Sequence, residues 1–317
     1  MSDRIKELDY LKCIFIILMI IFHLVYIGDT YPYAKRVVYT FHMSAFLIIS
    51  GYLANINKSP KQFFKAIGWI FIPYMIMEIG YIFMSFVLPV REKVTDLSVA
   101  TFLENIFVSP IGPYWYLHTL ILCSLTYYII YTLCAKMKNI SRFTILGVCF
   151  FIMSYMLNLL SMGNAMYFMV GIVIYQSKSN FIRLFQPSAL ALLPFVLLIC
   201  FPDNLERSTL AGVAITYLSI SFLLFLHSYI PCKIKNLSYF IGQRTLVILL
   251  FSPIFTILSK IMLPFLAFDP SGFIYMCLAT TFTIFGCFAI SWIMDLSNLS
   301  KYFFGTKNAF IKNAYKS

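Results

Sequence analysis

Lys12 and His23 stand eleven positions apart in the first apolar stretch of the chain, Tyr10 to Ile27. At about 100° per residue that spacing returns to one helix face, about 16 Å further along the axis. Asp9 falls near the same stripe, so a carboxylate, an ammonium and an imidazole share one side of a segment otherwise made of Ile, Leu, Phe and Met. Ionisable groups inside lipid are costly and mark function by default. His23 offers proton transfer, while Lys12 either stabilises charge or pairs with Asp9 at a spacing of three.

A second cluster follows. His42, Phe46 and Ser50 recur every four residues within Phe41 to Tyr52, and Gly51 permits close helix approach. Two histidines on adjacent helices build one polar cavity. Glu78 is an acid in the middle of an apolar run, where an unpaired charge costs several kcal/mol. It is therefore protonated, or paired with His23, His42 or Arg244, and an orienting role suits it better than a direct one. His118 follows Trp115-Tyr116-Leu117 at the outer interface, where an aromatic belt alone explains the neighbours but an acceptor site fits too. His227 precedes a cytoplasmic loop and belongs at the headgroup level.

The elements that must position these groups are membrane helices. Hydrophobic residues make up 61% of the chain and charged ones 11%, with a mean hydropathy of +0.86, far outside the soluble range. The sequence predicts an all-α integral membrane protein with ten spans, the sixth and seventh short: Tyr10 to Ile27, Val37 to Ala54, Ile67 to Leu88, Tyr114 to Ala135, Phe143 to Met162, Ala165 to Gln176, Ser188 to Phe201, Ser208 to Ile230, Ile241 to Met262 and Phe273 to Met294. With both termini cytoplasmic, most of the 24 Lys and Arg residues fall inside, as the positive-inside rule requires.

The net charge of +12 is thus topological, and no nucleic-acid motif accompanies it. Cys13, Cys123, Cys149, Cys200, Cys277 and Cys287 lie within spans at no metal-ligand spacing, so core packing is expected and no metal. No small-residue cleavage site follows Ile27, which argues against a removed signal peptide. One membrane domain, residues 1–294, is expected, followed by a basic cytoplasmic surface tail, 295–317, with Lys301, Lys307, Lys312 and Lys316. The outer loop Pro89 to Pro113 carries Arg91, Glu92, Lys93, Asp96 and Glu104, with an interfacial helix over Thr101 to Phe107. Gly163-Asn164 predicts the tight turn between spans five and six. No internal repeat is visible, and small-residue helix faces are compatible with a homodimer.

These residues resemble the acyltransferase 3 family of membrane acyltransferases, in particular its fucose-acetylase-like sugar O-acetyltransferases. That family opens with a short Leu-Asp element, a cation, ten intervening residues and a histidine, matched by Leu8-Asp9, Lys12 and His23. Its second helix reads Phe-His-Met-Pro-x-Phe and then Ser-Gly-Tyr or Ser-Gly-Phe; Phe41 to Tyr52 matches except that Ser44 replaces the proline. Weaker matches are Ile72-Pro73-Tyr74, Trp115-Tyr116-Leu117 and Tyr167-Phe168 with Gly171. Toward the C-terminus Gly242-Gln243-Arg244-Thr245 stands for Gly-x-x-Ser, and Ser252 occupies a position where a histidine is common.

The resemblance implies transfer of an acyl group, usually acetyl from cytoplasmic acetyl-CoA, to a hydroxyl on a glycan or lipid-linked sugar at the cell (plasma or inner) membrane. His23 would be general base or carry a covalent acetyl, with Asp9, Lys12, His42 and Glu78 around the chemistry. Lys12, Lys61, Lys65, Arg142 and Arg244 are placed by topology to meet the coenzyme's phosphates, unless they simply snorkel. Trp115, His118 and Ser50 would line the acceptor site. A glycan-precursor transporter or flippase is the rival reading, since ten spans with a few buried charges serve either task. A catalytically silent relative is a third, suggested by Ser44 and Ser252.

Overall fold

The computed structural model describes residues 4–87, 94 and 96–310. Arg91, Glu92, Lys93, Lys312 and Lys316 lie outside the described residues. Those described form helices and connecting turns, with no strand among them. In chain order the helices are α1 (Lys6–His23), α2 (Val25–Thr30), α3 (Pro32–Leu53), α4 (Pro60–Val87) and α5 (Val99–Phe107). There follow α6 (Trp115–Leu133), α7 (Asn139–Phe151), α8 (Met162–Gln176), α9 (Phe181–Leu184) and α10 (Leu192–Ile199). The last are α11 (Leu210–Tyr229), α12 (Cys232–Gly242), α13 (Thr245–Leu258), α14 (Phe273–Leu296) and α15 (Ser300–Phe303).

Among the described residues six helical segments are long and apolar enough to cross a membrane: Pro60–Val87, Val99–Leu133, Asn139–Met156, Leu210–Tyr229, Thr245–Met262 and Phe273–Leu296. The four other expected spans are helical but fall short by composition or length. α1 carries Lys6, Glu7, Asp9 and Lys12, and α3 carries Lys35, Arg36 and His42. α8 has 15 residues, and the apolar stretch Ala189–Ile199 is shorter still.

The helices group into two compact units. One takes in the chain through Phe46, Ser179–Lys301 and the segment from Thr306; α1 packs there against α11, α12, α13 and α14. Leu8, Leu11, Phe15, Ile16 and Ile20 are buried around its circumference, as befits a central helix. Its close neighbour is α12, because Gly242 has no side chain: a Cβ there would stand 1.8 Å from the Asp9 carbonyl oxygen. α12 itself was expected only as a loop with Lys233 and Lys235.

α1 ends four residues earlier than expected. Leu24 turns extended (φ −66°, ψ 106°) while its N–H still closes on the Ile20 and Ile21 carbonyls, so His23 is the last helical residue. α2 then runs to Thr30 and stops at Tyr31, as the residue before a proline must. Pro32 opens α3, where its missing N–H costs nothing. Ser44 lies inside α3 and donates its hydroxyl to the Thr40 carbonyl, so the helix keeps the backbone N–H that a proline would remove. At the far end Asp295 is buried in the last turn of α14 and accepts from the backbone N–H groups of Ala309 and Phe310, while Lys301 and Lys307 are exposed.

The other unit comprises Leu47–Lys178 with Tyr302–Gly305. Cys123, Tyr127, Leu146, Phe150, Phe168 and Ile172 form its core between α6, α7 and α8. The turn before α8 is made at Asn158, whose φ of 50° is left-handed, and not at Gly163-Asn164, which lie within α8. α7 reaches that turn through a π-helical stretch, Ile152–Met156. The helix expected over Thr101 to Phe107 is α5, capped by Ser98 accepting from the Thr101 N–H. α8 meets the C-terminal part of α3 with backbones in contact: a Cβ on Gly171 would fall 2.1 Å from the Ile48 oxygen, and one on Gly51 2.0 Å from the Phe168 oxygen.

That crossing can be tested against a glycine with room. Gly68 in α4 meets nothing within 4 Å, so Gly68→Ala is expected to hold or raise the detergent-solubilised melting temperature, worth ~0.4–1 kcal/mol. Gly171→Val must push two backbones apart and is expected to cost ~1–3 kcal/mol or more, read as a lower melting temperature or loss of monodisperse protein.

Candidate active site

In the first unit the ionisable residues expected at the site fall into two places. At the start of α1 Asp9 is buried and doubly paired, to Lys12 Nζ at 2.7 Å and Arg4 Nε at 2.6 Å. The acid neutralises an ammonium one turn away, the structural alternative read from the spacing. Arg4 is a partner the sequence reading missed; its separation from Asp9 was the available signal. Arg244 stands two residues past the Gly242 contact with Asp9. It is 2% exposed, with Nη1 on the Phe240 carbonyl at 3.0 Å and Nη2 on the Phe310 carbonyl at 2.8 Å.

Eleven residues along α1, about 16 Å away, His23 closes the helix. The shared stripe lies on one continuous helix, and it sets the two polar groups apart instead of joining them. The His23 ring lies 6.1 Å from that of Tyr39, and the Tyr39 ring 5.2 Å from that of His42, so the three form a row on the end of α1 and on α3. Lys35 Nζ stands 5.6 Å over the Tyr39 ring. Tyr39 was not singled out; its place one turn before His42 is the signal that existed.

Both imidazoles are held alike. His23 Nδ1 lies 2.7 Å from the Met19 carbonyl oxygen, and His42 Nδ1 2.7 Å from that of Val38. A carbonyl only accepts, so each Nδ1 carries the hydrogen and each neutral ring keeps its lone pair on Nε2. His23 is exposed at the helix end, where Nε2 is the acceptor nitrogen of its neutral ring. His42 is buried, and its Nε2 has no hydrogen-bond partner. A buried acceptor left so is a functional pointer.

In the second unit Glu78, His118, Tyr74 and Arg142 turn to backbone. Glu78 is fully buried, and its Oε1 accepts from the Ile111 N–H at 2.7 Å. His118 Nε2 donates to the Phe107 carbonyl at 3.0 Å, and the Tyr74 hydroxyl to that of Ile106 at 2.7 Å. α4 and α6 thereby clamp the segment 106–111, whose irregular backbone needs such partners. Arg142 closes α6: Nε donates to the Cys134 carbonyl at 2.9 Å, Nη2 to that of Ala135, and the guanidinium lies over the Tyr131 ring. Those donors are engaged in capping. Lys61 and Lys65 are exposed on the first turns of α4, which is fixed there by Phe63 stacked on Tyr128 at 3.8 Å. Ser50 shares a 2.7 Å hydrogen bond with the buried Tyr116 hydroxyl, and the Trp115 ring stands edge-on to Tyr116. Ser252 is buried in α13.

A family model described as an acyltransferase domain matches residues 5–292, which take in every helix from the first turn of α1 to the last turns of α14. No curated protein and no solved structure matches the chain.

The orienting role of Glu78 has a direct check. Glu78→Gln keeps a side-chain oxygen for the Ile111 N–H and is expected to retain near-native melting and activity. Glu78→Ala strands that amide, at ~1–3 kcal/mol, and is expected to lower the melting temperature and speed proteolysis near residues 106–111.

Proposed function

Because the chain belongs to the acyltransferase 3 family, we propose that it is an integral membrane O-acyltransferase moving acetyl from cytoplasmic acetyl-CoA to a hydroxyl of a cell-surface or lipid-linked glycan, in the manner of the fucose-acetylase-like branch. The observation that carries this reading is the fixed tautomer of His23, whose Nε2 is the basic nitrogen at an accessible helix end. The topology that goes with it is ten crossings with both ends inside, in the plasma or inner membrane, supported by the lysine and arginine distribution.

Acetyl-CoA supplies an acyl group already activated as a thioester. His23 Nε2 takes the proton of the acceptor hydroxyl as its oxygen bonds to the acyl carbon and the thiolate leaves. The imidazolium so formed sits at the C-terminal end of α1, where the helix dipole favours positive charge. His42 Nε2 accepts a hydrogen bond from the acceptor sugar or a water next to it, and Tyr39 spaces the two rings. Arg4, Lys12 and Arg244 fit the coenzyme's phosphates, because Arg4 and Lys12 share the single carboxylate of Asp9 and the Arg244 Nε is buried without a partner. In the second unit Lys61 and Lys65 are exposed candidate cations, and Ser50 and Trp115 remain acceptor-side candidates.

Purified protein given labelled acetyl-CoA and surface glycan is expected to transfer label. His23→Ala should lower the rate by ~10²–10⁴, the usual share of a general base, and Lys12→Ala should mainly raise KM for acetyl-CoA. If wild type and His23→Ala are equally inert while vesicles move a glycan lipid, the transferase reading fails.

A further inference from the structure

Arg244 is held by the chain's own C-terminal segment. Its guanidinium lies 3.6 Å from the Phe240 ring centroid and 4.9 Å from that of Phe310, and both hydrogen-bonded acceptors are neutral carbonyls. No carboxylate reaches it among the described residues, its Nε is buried and unpartnered, and Arg4 lies close enough to repel it. A buried guanidinium without an anion is unusual, since buried charges are paired. The segment that supplies the Phe310 carbonyl is itself tied by Asp295, which accepts from the N–H groups of Ala309 and Phe310 at 2.9 Å each and from the Ser300 hydroxyl. Phe288 completes the enclosure, 5.5 Å from the rings of both Phe240 and Phe310.

We propose that Arg244 is an exchangeable phosphate site, in which the Phe310 carbonyl occupies the place of a phosphate oxygen and Asp295 latches it there. Residues 309–310 thus compete with the ligand. Resting on the acyltransferase reading, the ligand is a phosphate of the coenzyme; an anionic lipid headgroup carries the same chemistry. Displacing the segment exchanges a neutral acceptor for a charged one, and a charge-assisted hydrogen bond is about twice as strong. It also gives Nε an acceptor.

The test is calorimetric titration of the full chain, in phosphatidylcholine nanodiscs, with adenosine 3′,5′-bisphosphate. Asp295→Asn and Phe310→Ala loosen the latch in different ways, and each is expected to tighten binding about 3- to 10-fold. Arg244→Gln should weaken binding at least 10-fold and abolish that gain, with Arg244→Lys recovering part of it. Equal affinity in wild type and both latch variants, or undiminished binding by Arg244→Gln, overturns the proposal. If phosphatidylglycerol nanodiscs suppress the titration only where Arg244 is intact, the site stands but its occupant is a headgroup. Acetyl transfer measured in parallel separates the failures: transfer without a latch effect sinks the latch alone, and a latch effect without transfer sinks the acyltransferase reading alone.

Discussion

A carboxylate can be kept inside an apolar helix only if its charge is answered where it stands. Asp9 is answered twice, by the half-exposed Arg4 and by Lys12, so the carboxylate keeps a cation even when one of the two is lost. That pair fixes the first turns of the central helix of its unit. Gly242 then presses α12 onto the Asp9 backbone, and the same contact delivers Arg244 two residues on. The basic groups at this end are thus consequences of one neutralised acid.

Much of this was legible in the chain itself. The spacing of Lys12 and His23 marks one helix face because α1 is an uninterrupted helix between them. The four-residue recurrence of His42, Phe46 and Ser50 survives because Ser44, in place of a proline, leaves α3 continuous. The helix within the outer loop was expected from Thr101 and begins two residues earlier, at Val99, because Ser98 caps it there. Helix identity follows from composition when apolar residues are this dense.

What was not legible concerns partners. Glu78, His118 and Arg142 look alike in sequence, as polar residues in apolar surroundings, and each could have met substrate. All three spend hydrogen bonds on backbone carbonyls or amides at breaks between helices, positions that only the folded chain defines. Arg4 and Phe310 were overlooked for the converse reason: neither sits in an apolar span, and each acquires its role by reaching back to one. The turn at Asn158 was misplaced onto Gly163-Asn164 because a left-handed asparagine serves as well as glycine there.

The carbonyls of Met19 and Val38 also decide regiochemistry. By occupying Nδ1 on both rings, they leave the distal nitrogen as the place where either imidazole could form a covalent bond. An acetyl group passing through His23 would be an Nε2-acyl imidazole, projecting beyond the helix end instead of folding back against its last turn.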